Sequence, residues 1–144
     1  MRYLDQTLTA PEQNLALDEA LLDWCETGNG GGDAILRVWS PGTYFVVVGY
    51  ANAVATEVDT TACARAGVPV LRRCSGGGTV VQGPGCLNYT LILDSESAPE
   101  LASITGTNDY IMSRNRAAIQ RLVSGEVRID GRTDLAIGCV KFSG

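Results

Sequence analysis

The sequence predicts an α+β fold in which helices pack on a mixed or antiparallel β-sheet and cover one face of it. Short runs of β-branched and aromatic residues occur in groups, and two long segments show helical periodicity. Strands in runs combined with a few helices are typical of the α+β class. Apolar residues make up 45% and charged residues 19% of the 144 residues, so the chain can bury a sizeable core.

The first helix is predicted over residues 12–27, after an edge-like strand over residues 2–8. Thr9 and Glu12 have the spacing of a capping box, in which a hydroxyl and a carboxylate cover free N–H groups of the first turn. Leucine and tryptophan side chains then recur at helical spacing, which predicts a face that lies on the core. The glycine-rich run at residues 28–32 ends this helix and is interpreted as a flexible linker.

The remaining elements follow from the same patterns. Segments 34–39 and 44–48 are strand-like and are separated by a Pro-Gly dipeptide, which predicts a hairpin-like connection. The second long helix is predicted over residues 107–123, with Thr107 or Asn108 as its cap. The sequence also predicts a short helix over residues 58–66 and strands over residues 68–71, 79–82, 87–93, 127–129, 135–137 and 140–142.

The absence of histidine restricts the chemistry that this chain can perform. No Ser-His-Asp or Cys-His arrangement can exist, so acid–base or nucleophilic steps must use Lys, Asp, Glu, Cys or backbone groups. The five cysteines are widely spaced without a C-x-x-C pair, which argues against structural zinc and favours free thiols in a reducing compartment. Composition and cysteine spacing alone therefore assign no residue as a metal ligand.

The charge balance and the apolar runs argue against two classes of partner. The net charge of −5 argues against nucleic acid as the main partner. The longest apolar runs have the length of strands and are far too short to span a bilayer. No charged-then-apolar signal segment opens the chain, so we expect a cytoplasmic protein without a membrane partner.

The most informative segment is residues 72–81, with the sequence RRCSGGGTVV. Glycine has no Cβ, so the backbone of residues 73–79, which we call the glycine loop, can approach a ligand closely. Successive N–H groups turned the same way bind anions, and an arginine adds a forked donor suited to phosphate. The segment predicts a phosphate or nucleotide site. The other interpretation is a tight turn between two strands with an ordinary exposed arginine pair.

Several segments, in order and at consistent spacing, together resemble the catalytic domain of lipoate-protein ligases, within the wider biotin/lipoate ligase family. This resemblance implies a class II synthetase-like α+β catalytic domain. The segments are the first helix at residues 14–22, the paired strands at 36–49, the glycine-loop signature at 72–80, the following strand at 87–90, the Gly-Arg-Asn-Asp-Leu-like segment at 131–135 and the Lys-x-Ser-Gly motif at 141–144.

The resemblance implies an ATP-dependent ligase that works in two steps. Lipoate or octanoate is activated as an acyl-adenylate with release of pyrophosphate, and the acyl group then passes to a lysine on a carrier domain. The implied carriers are the lipoyl domains of 2-oxoacid dehydrogenases or the glycine cleavage H protein. The implied cofactors are ATP and Mg²⁺, with lipoate as substrate. The strands around Trp39 and residues 47–48 are expected to supply an apolar slot for the lipoyl tail.

The resemblance also implies roles for individual residues. Lys141 is the implied catalytic residue, a compact cation that neutralises charge on the acyl carbonyl oxygen and on the phosphate. Asn88 is expected to order the glycine loop by hydrogen bonds. Asp134 is expected either to hold a magnesium ion or the nucleotide, or to be a surface aspartate in a turn. The implied nucleotide-binding residues are Arg73, Ser75, Gly76, Gly77, Gly78, Thr79, Val80, Val81, Asn88 and Asp134.

Three features depart from the family pattern. Residues 81–83 stand where many members place a histidine, and Thr133 replaces the asparagine of the Gly-Arg-Asn-Asp-Leu segment. The chain also ends at Gly144, where members continue through further strands. Residues 1–144 are therefore expected to be the N-terminal portion of the catalytic domain, with its C-terminal strands missing.

Three other functions remain open at this stage. An octanoyl- or lipoyl-transferase of the same fold uses no ATP and forms a thioester on a cysteine. One branch carries this cysteine upstream of the motif lysine, where residues 124–135 contain none, which favours the ligase. Another branch carries it beyond the lysine, so the transferase remains open. Cys139 lies close to Lys141 in sequence and is expected to face the core as a small apolar residue. A biotin ligase usually has a glycine loop richer in alternating glycine and arginine. A non-catalytic acyl- or nucleotide-binding subunit is the last alternative.

Overall fold

The computed structural model describes residues 1–28, 30 and 32–144. It divides into two compact units, residues 1–93 and residues 94–144. The predicted linker at 28–32 falls partly on residues 29 and 31, which lie outside the described residues. The α+β class is confirmed, and the strands form three separate three-stranded sheets. No helix in the described part of the chain is long and apolar enough to cross a membrane.

The first sheet of unit 1 contains β1 (Arg2–Asp5), β2 (Ile35–Trp39) and β6 (Asn88–Ile92), in the order β1-β2-β6. β2 runs parallel to β1 and antiparallel to β6, with Ile35 opposite Ile92. Helix α1 (Pro11–Glu26) connects β1 to β2, since parallel neighbours require a crossover. The predicted helix is thereby confirmed.

The second sheet of unit 1 has β3 (Phe45–Val48) at its centre, with β4 (Val70–Arg72) parallel on one side and β5 (Val80–Gln82) antiparallel on the other. All four β3 side chains are buried, which suits a central strand covered on both faces. The crossover from β3 to β4 contains two short helices, α2 (Val54–Glu57) and α3 (Thr60–Ala66).

The predicted hairpin between residues 34–39 and 44–48 is wrong. Both segments are strands, but β2 pairs with β1 and β6 while β3 pairs with β4 and β5. The Pro-Gly dipeptide turns the chain but does not choose the partners of the strands on either side. The continuous apolar run of β3 takes the centre of its own sheet, where burial on both faces stabilises it.

The predicted capping box at the start of α1 is also wrong, because the helix begins one residue later than Thr9 would require. Ala10 is the N-cap residue, and its N–H donates to Gln13 Oε1 at 3.4 Å. Asn14 reaches back further, accepting from the N–H of Leu8 at 2.9 Å and donating to the carbonyl of Leu8 at 2.8 Å. A buried amide, which is both donor and acceptor, therefore fixes the chain before this helix.

A buried polar network joins α1 to the centre of the first sheet. Arg37 of β2 is completely buried, and its Nη1 donates to Asp18 Oδ1 at 2.6 Å and to the Asn14 carbonyl at 2.9 Å. Its Nη2 donates to Asn14 Oδ1 at 2.7 Å and to the Gln6 carbonyl at 2.9 Å. Trp39 Nε1 donates to the other oxygen of Asp18 at 3.3 Å. A buried charge needs such partners, and Asp18 supplies the countercharge.

Unit 2 contains a short 3-10 helix (Pro99–Ala102), helix α4 (Ile104–Gln120) and an antiparallel sheet. That sheet has the order β7 (Val127–Asp130), β8 (Asp134–Ile137) and β9 (Val140–Ser143). Its core is a cluster of Met112, Val127 and Leu135.

Helix α4 begins three residues earlier than the sequence predicts. Ser103 is its cap, because its Oγ accepts from the Gly106 N–H at 3.1 Å, so the prediction of Thr107 or Asn108 is wrong. Gly106 lies inside the first turn against the carbonyl of Glu100, where a Cβ would come within 2.3 Å of the oxygen. Glycine is unfavourable inside a helix, and the close contact with the Glu100 carbonyl explains why glycine occupies position 106.

Candidate functional site

The glycine loop joins β4 to β5, the two strands that flank β3. Two backbone hydrogen bonds fasten the loop to the end of β3: the Arg73 N–H donates to the Val48 carbonyl at 3.1 Å, and the Tyr50 N–H donates to the Ser75 carbonyl at 2.9 Å. Gly77 has φ of +94°, a conformation that favours glycine. The loop therefore has a defined path at the edge of the sheet.

Arg73 turns the carbonyl groups of the loop toward its own guanidinium. Nη2 donates to the Gly76 carbonyl at 2.7 Å and to the Gly78 carbonyl at 2.8 Å, and Nε donates to Gly76 at 3.1 Å. Nη1 makes no hydrogen bond within the described part of the chain. Burial lowers the pKa of this guanidinium from its ordinary value, although an arginine stays protonated at neutral pH. One forked edge thus orders the loop, and Nη1 is left over.

The backbone N–H groups of the three glycines find no partner among residues 1–28, 30 and 32–144. None of the N–H groups of Gly76, Gly77 and Gly78 donates to any residue that the structure describes. Thr79, directly after them, has a buried Oγ1 that likewise has no partner in the described part of the chain. A buried hydroxyl such as Thr79 Oγ1 is nearly always satisfied in a functional state, and successive N–H groups beside a cation form an anion-binding concavity. The arrangement can bind a phosphate.

The other predicted residues of unit 1 lie on the strands around the loop. Val80 and Val81 are 44% and 67% exposed on β5. Asn88 lies on β6, opposite Trp39 of β2, and its Nδ2 is buried without a partner, as is Gln82 Oε1. No hydrogen bond joins the Asn88 side chain to the loop among the described residues.

The residues expected to form the apolar slot are packed inside unit 1. Trp39 and Val47 are 3% and 1% exposed and form one core cluster with Phe45. A separate open cleft of about 310 Å³ lies beside the end of the glycine loop. Its walls combine apolar side chains with the carboxylates of two acids, and its lining residues are Val46, Glu57, Val58, Asp59, Ala62, Cys63, Thr79, Val80 and Val81.

Lys141 and Asp134 form an ion pair in unit 2. Lys141 Nζ lies 2.8 Å from Asp134 Oδ2, and the two side chains are 57% and 33% exposed. Lys141 is on β9 opposite Ala136, next to an irregularity in the β8 pairing that brings it near the start of β8. Gly144 is also close, since a Cβ there would lie 2.8 Å from Nζ. The ammonium is therefore directed by a carboxylate and remains accessible.

Two features of the site were missed by sequence reasoning. The sequence could have indicated the pairing of Lys141 with Asp134, because Lys141 is the single lysine among eleven basic residues and the two residues belong to the motifs at 141–144 and 131–135. The contacts of Arg72 and Gly49 with the chain around the loop, described below, have no local signal. Among the described residues, no group of three His, Cys, Asp or Glu could hold a metal ion.

Two cysteines bear on covalent chemistry. Cys74 of the glycine loop is exposed, but partial burial raises the pKa of its thiol, and the negative charges of Glu19 and two further acids of α1 raise it more. Cys139 is exposed as well, so the prediction that it faces the core is wrong. The residue before it, Gly138, has φ of +58° and places Cys139 in the turn between β8 and β9.

The sequence of this chain is similar to those of known proteins. The family model for the lipoyl protein ligase A/B catalytic domain matches residues 10–144. A lipoate-protein ligase A homologue of Aeropyrum pernix is 34% identical over 142 residues, covering 98% of this chain and 50% of that protein. The octanoyltransferase LipM of Geobacillus kaustophilus is 37% identical over 100 residues, covering 69% of this chain and 34% of that protein.

Solved structures show the same fold. The bi-partite lipoate protein ligase of Thermoplasma acidophilum superposes with a TM-score of 0.80 at 24% identity, over 99% of this chain and 52% of that one. A lipoate-protein ligase A bound with ATP gives a TM-score of 0.76 at 25% identity, over 97% of this chain and 57% of that one. The chain thus spans about half the length of the relatives that it matches along nearly all of its own length.

Proposed function

This chain belongs to the lipoyl protein ligase A/B catalytic domain family, and we propose that it acts in an ATP-dependent lipoate-protein ligase. Lipoate or octanoate is activated as an acyl-adenylate and then joined to a lysine of a lipoyl carrier domain. The observation that carries this proposal is that the N–H groups of Gly76, Gly77 and Gly78, and Arg73 Nη1, donate to none of the described residues.

In the first step, a carboxylate oxygen of lipoate attacks the α-phosphorus of ATP. A C(=O)O–P bond forms, the bond between the α-phosphorus and the bridging oxygen breaks, and pyrophosphate leaves with that electron pair. The glycine N–H groups and Arg73 Nη1 hold the α-phosphate, where negative charge grows in the transition state. Hydrogen-bond donors that are already ordered before the reaction contribute most to transition-state stabilisation. Here Nε and Nη2 of Arg73 order the loop by binding its carbonyl groups.

In the second step, the amine of the carrier lysine attacks the acyl carbon. A C–N bond forms, the C–O bond to the phosphate breaks, AMP leaves and the amine gives up a proton. We assign to Lys141 the stabilisation of negative charge on the acyl oxygen and on the phosphate. The carboxylate of Asp134, 2.8 Å from Nζ, positions this ammonium.

Magnesium commonly accompanies ATP and is held by one or two carboxylates together with the phosphates, and the described residues contain no cluster of three His, Cys, Asp or Glu. Asp134, the residue proposed from the sequence, has one carboxylate oxygen engaged by Lys141. We propose that Mg²⁺ arrives on the phosphates of ATP.

An octanoyltransferase is the second candidate, because LipM is 37% identical over 100 residues of this chain. Such an enzyme needs a thiolate that takes the acyl group as a thioester. Cys74 is a poor choice, since its pKa is raised rather than lowered. Cys139 is exposed two residues before Lys141 and is the candidate nucleophile of this second function.

ATP–pyrophosphate exchange tests the ligase. Exchange that requires lipoate or octanoate establishes the acyl-adenylate, whereas acyl transfer through a trapped thioester without ATP establishes the transferase. In a ligase, Lys141→Ala lowers the exchange rate by about a hundredfold or more. Arg128→Ala is the matched control, because Arg128 is a 54% exposed base of the same unit in a weak 4.0 Å ion pair. Near-normal exchange in Lys141→Ala would remove Lys141 from the mechanism.

A further inference from the structure

Arg72, the last residue of β4, makes three contacts with the chain that follows β3. Its Nη1 donates to the carbonyl oxygens of Gly49 at 2.7 Å, Tyr50 at 2.8 Å and Asn52 at 2.9 Å. Arg72 stands opposite Val48 in the parallel pairing of β3 and β4, so its side chain starts beside the end of β3. We call residues 49–52 the β3 turn.

The partners of Arg72 in these contacts are backbone carbonyl groups and not a carboxylate. No carboxylate of the described residues lies within ion-pair distance of Arg72. Three carbonyl oxygens share one guanidinium nitrogen, and a charged donor makes stronger hydrogen bonds than a neutral one. The three oxygens would otherwise repel one another, so Arg72 determines the conformation of the β3 turn.

The β3 turn in turn contacts the glycine loop. The Tyr50 N–H donates to the Ser75 carbonyl at 2.9 Å. The Cα of Gly49 faces the carbonyl of Gly77 so closely that a Cβ would lie 2.1 Å from its oxygen and 3.4 Å from Arg73 Nη2. The β3 turn therefore contacts the loop at Ser75 and at Gly77, on either side of Gly76, the first of the three glycines.

We propose that Arg72 is a positioning residue for the phosphate site, acting through the β3 turn and never touching the ligand. The two neighbouring arginines then have different roles: Arg73 orders the loop and presents Nη1 to the phosphate, while Arg72 fixes the support beneath the loop. The inference rests on the proposed function for its catalytic consequence. The contact itself is independent of that function and can be measured without any ligand.

Arg72→Met tests the inference, because it keeps the apolar stem and removes the donors. Arg72→Lys should rescue it, since an ammonium has three donors for three carbonyls. Arg65→Met is the matched control, as Arg65 is an exposed arginine of the same unit at the end of α3. Thermal unfolding of all variants identifies any that fail to fold, and Arg72→Gln, which keeps one amide donor group, then replaces Arg72→Met.

The first readout is amide hydrogen exchange at Tyr50 and Arg73, whose N–H groups join the β3 turn and β3 to the loop. Arg72→Met should accelerate exchange at Tyr50 roughly tenfold to a hundredfold, as the loss of a charged hydrogen bond does to a local opening equilibrium, and Arg72→Lys should restore it. Unchanged exchange at Tyr50 overturns the inference, whatever the protein does with ATP.

The second readout is the affinity of the protein for ATP with Mg²⁺, measured by calorimetry. Arg72→Met should weaken binding about tenfold, because displaced N–H groups lose their aim at the phosphate. Equal ATP affinity in Arg72→Met and the parent, despite faster exchange, overturns the positioning role. If exchange is faster in Arg72→Met but the parent protein binds no ATP, the contact is supported and the phosphate site itself is refuted.

Discussion

The close approach of Gly49 to the glycine loop leads to a quantitative prediction for Gly49→Ala. A Cβ at this position would lie 2.1 Å from the Gly77 oxygen, whereas real Cβ atoms stay beyond 3.0 Å, so the β3 turn or the loop must move by about 0.9 Å. A displacement near 1 Å in a positioning element costs about a hundredfold in rate. This corresponds to about 2.7 kcal/mol of transition-state stabilisation, and we expect that loss in ATP–pyrophosphate exchange.

Gly42→Ala is the matched control, because nothing lies within 4 Å of its added methyl group. Exchange rates are compared for both variants and the parent at saturating ATP, and thermal unfolding shows whether each variant is folded. A Gly49→Ala variant that is folded and exchanges pyrophosphate as fast as the parent would contradict this prediction, since the loop would then tolerate the shift without any loss of rate.

Three further predictions concern the buried network, the ion pair of unit 2 and the loop thiol. Asp18→Ala leaves Arg37, whose side chain is 0% exposed, without its countercharge, so the free energy of unfolding in urea should fall by about 3–5 kcal/mol. The control is Asp23→Ala, since Asp23 is exposed. Equal losses in the two variants would refute the role of the network. Asp134→Asn should change stability by less than about 1 kcal/mol, because the pair is half-exposed, but should slow exchange; unaltered rates would show that Lys141 needs no positioning. The rate of Cys74 alkylation by iodoacetamide should reach half its maximum at a higher pH than the rate of an ordinary exposed thiol, because the pKa of Cys74 is raised. Glu19→Gln should lower this midpoint pH, because it removes a negative charge that raises the pKa. A midpoint below that of an ordinary thiol would contradict this electrostatic explanation.

Local patterns predicted most elements but not how they pair. Helix α1 and the strand segments follow from apolar periodicity, which is a property of neighbouring residues. The hairpin failed because the partners of β2 and β3 are distant in sequence. The start of α4 was missed because Gly106, a poor helix residue, is required there by its contact with Glu100. Cys139 was expected in the core, but the positive φ of Gly138 places it in an exposed turn.

The sequence by itself determined the family and predicted the glycine loop as a phosphate site, because glycines beside a cation have a chemistry that depends on residue type more than on surroundings. Only the tertiary structure decided what each side chain does. It divided the arginine pair into Arg73, which binds carbonyl groups of the loop, and Arg72, which binds carbonyl groups of the β3 turn, and it paired Lys141 with Asp134. The physical reason is that hydrogen-bond partners are chosen by distances between strands, and a linear pattern contains no such distances.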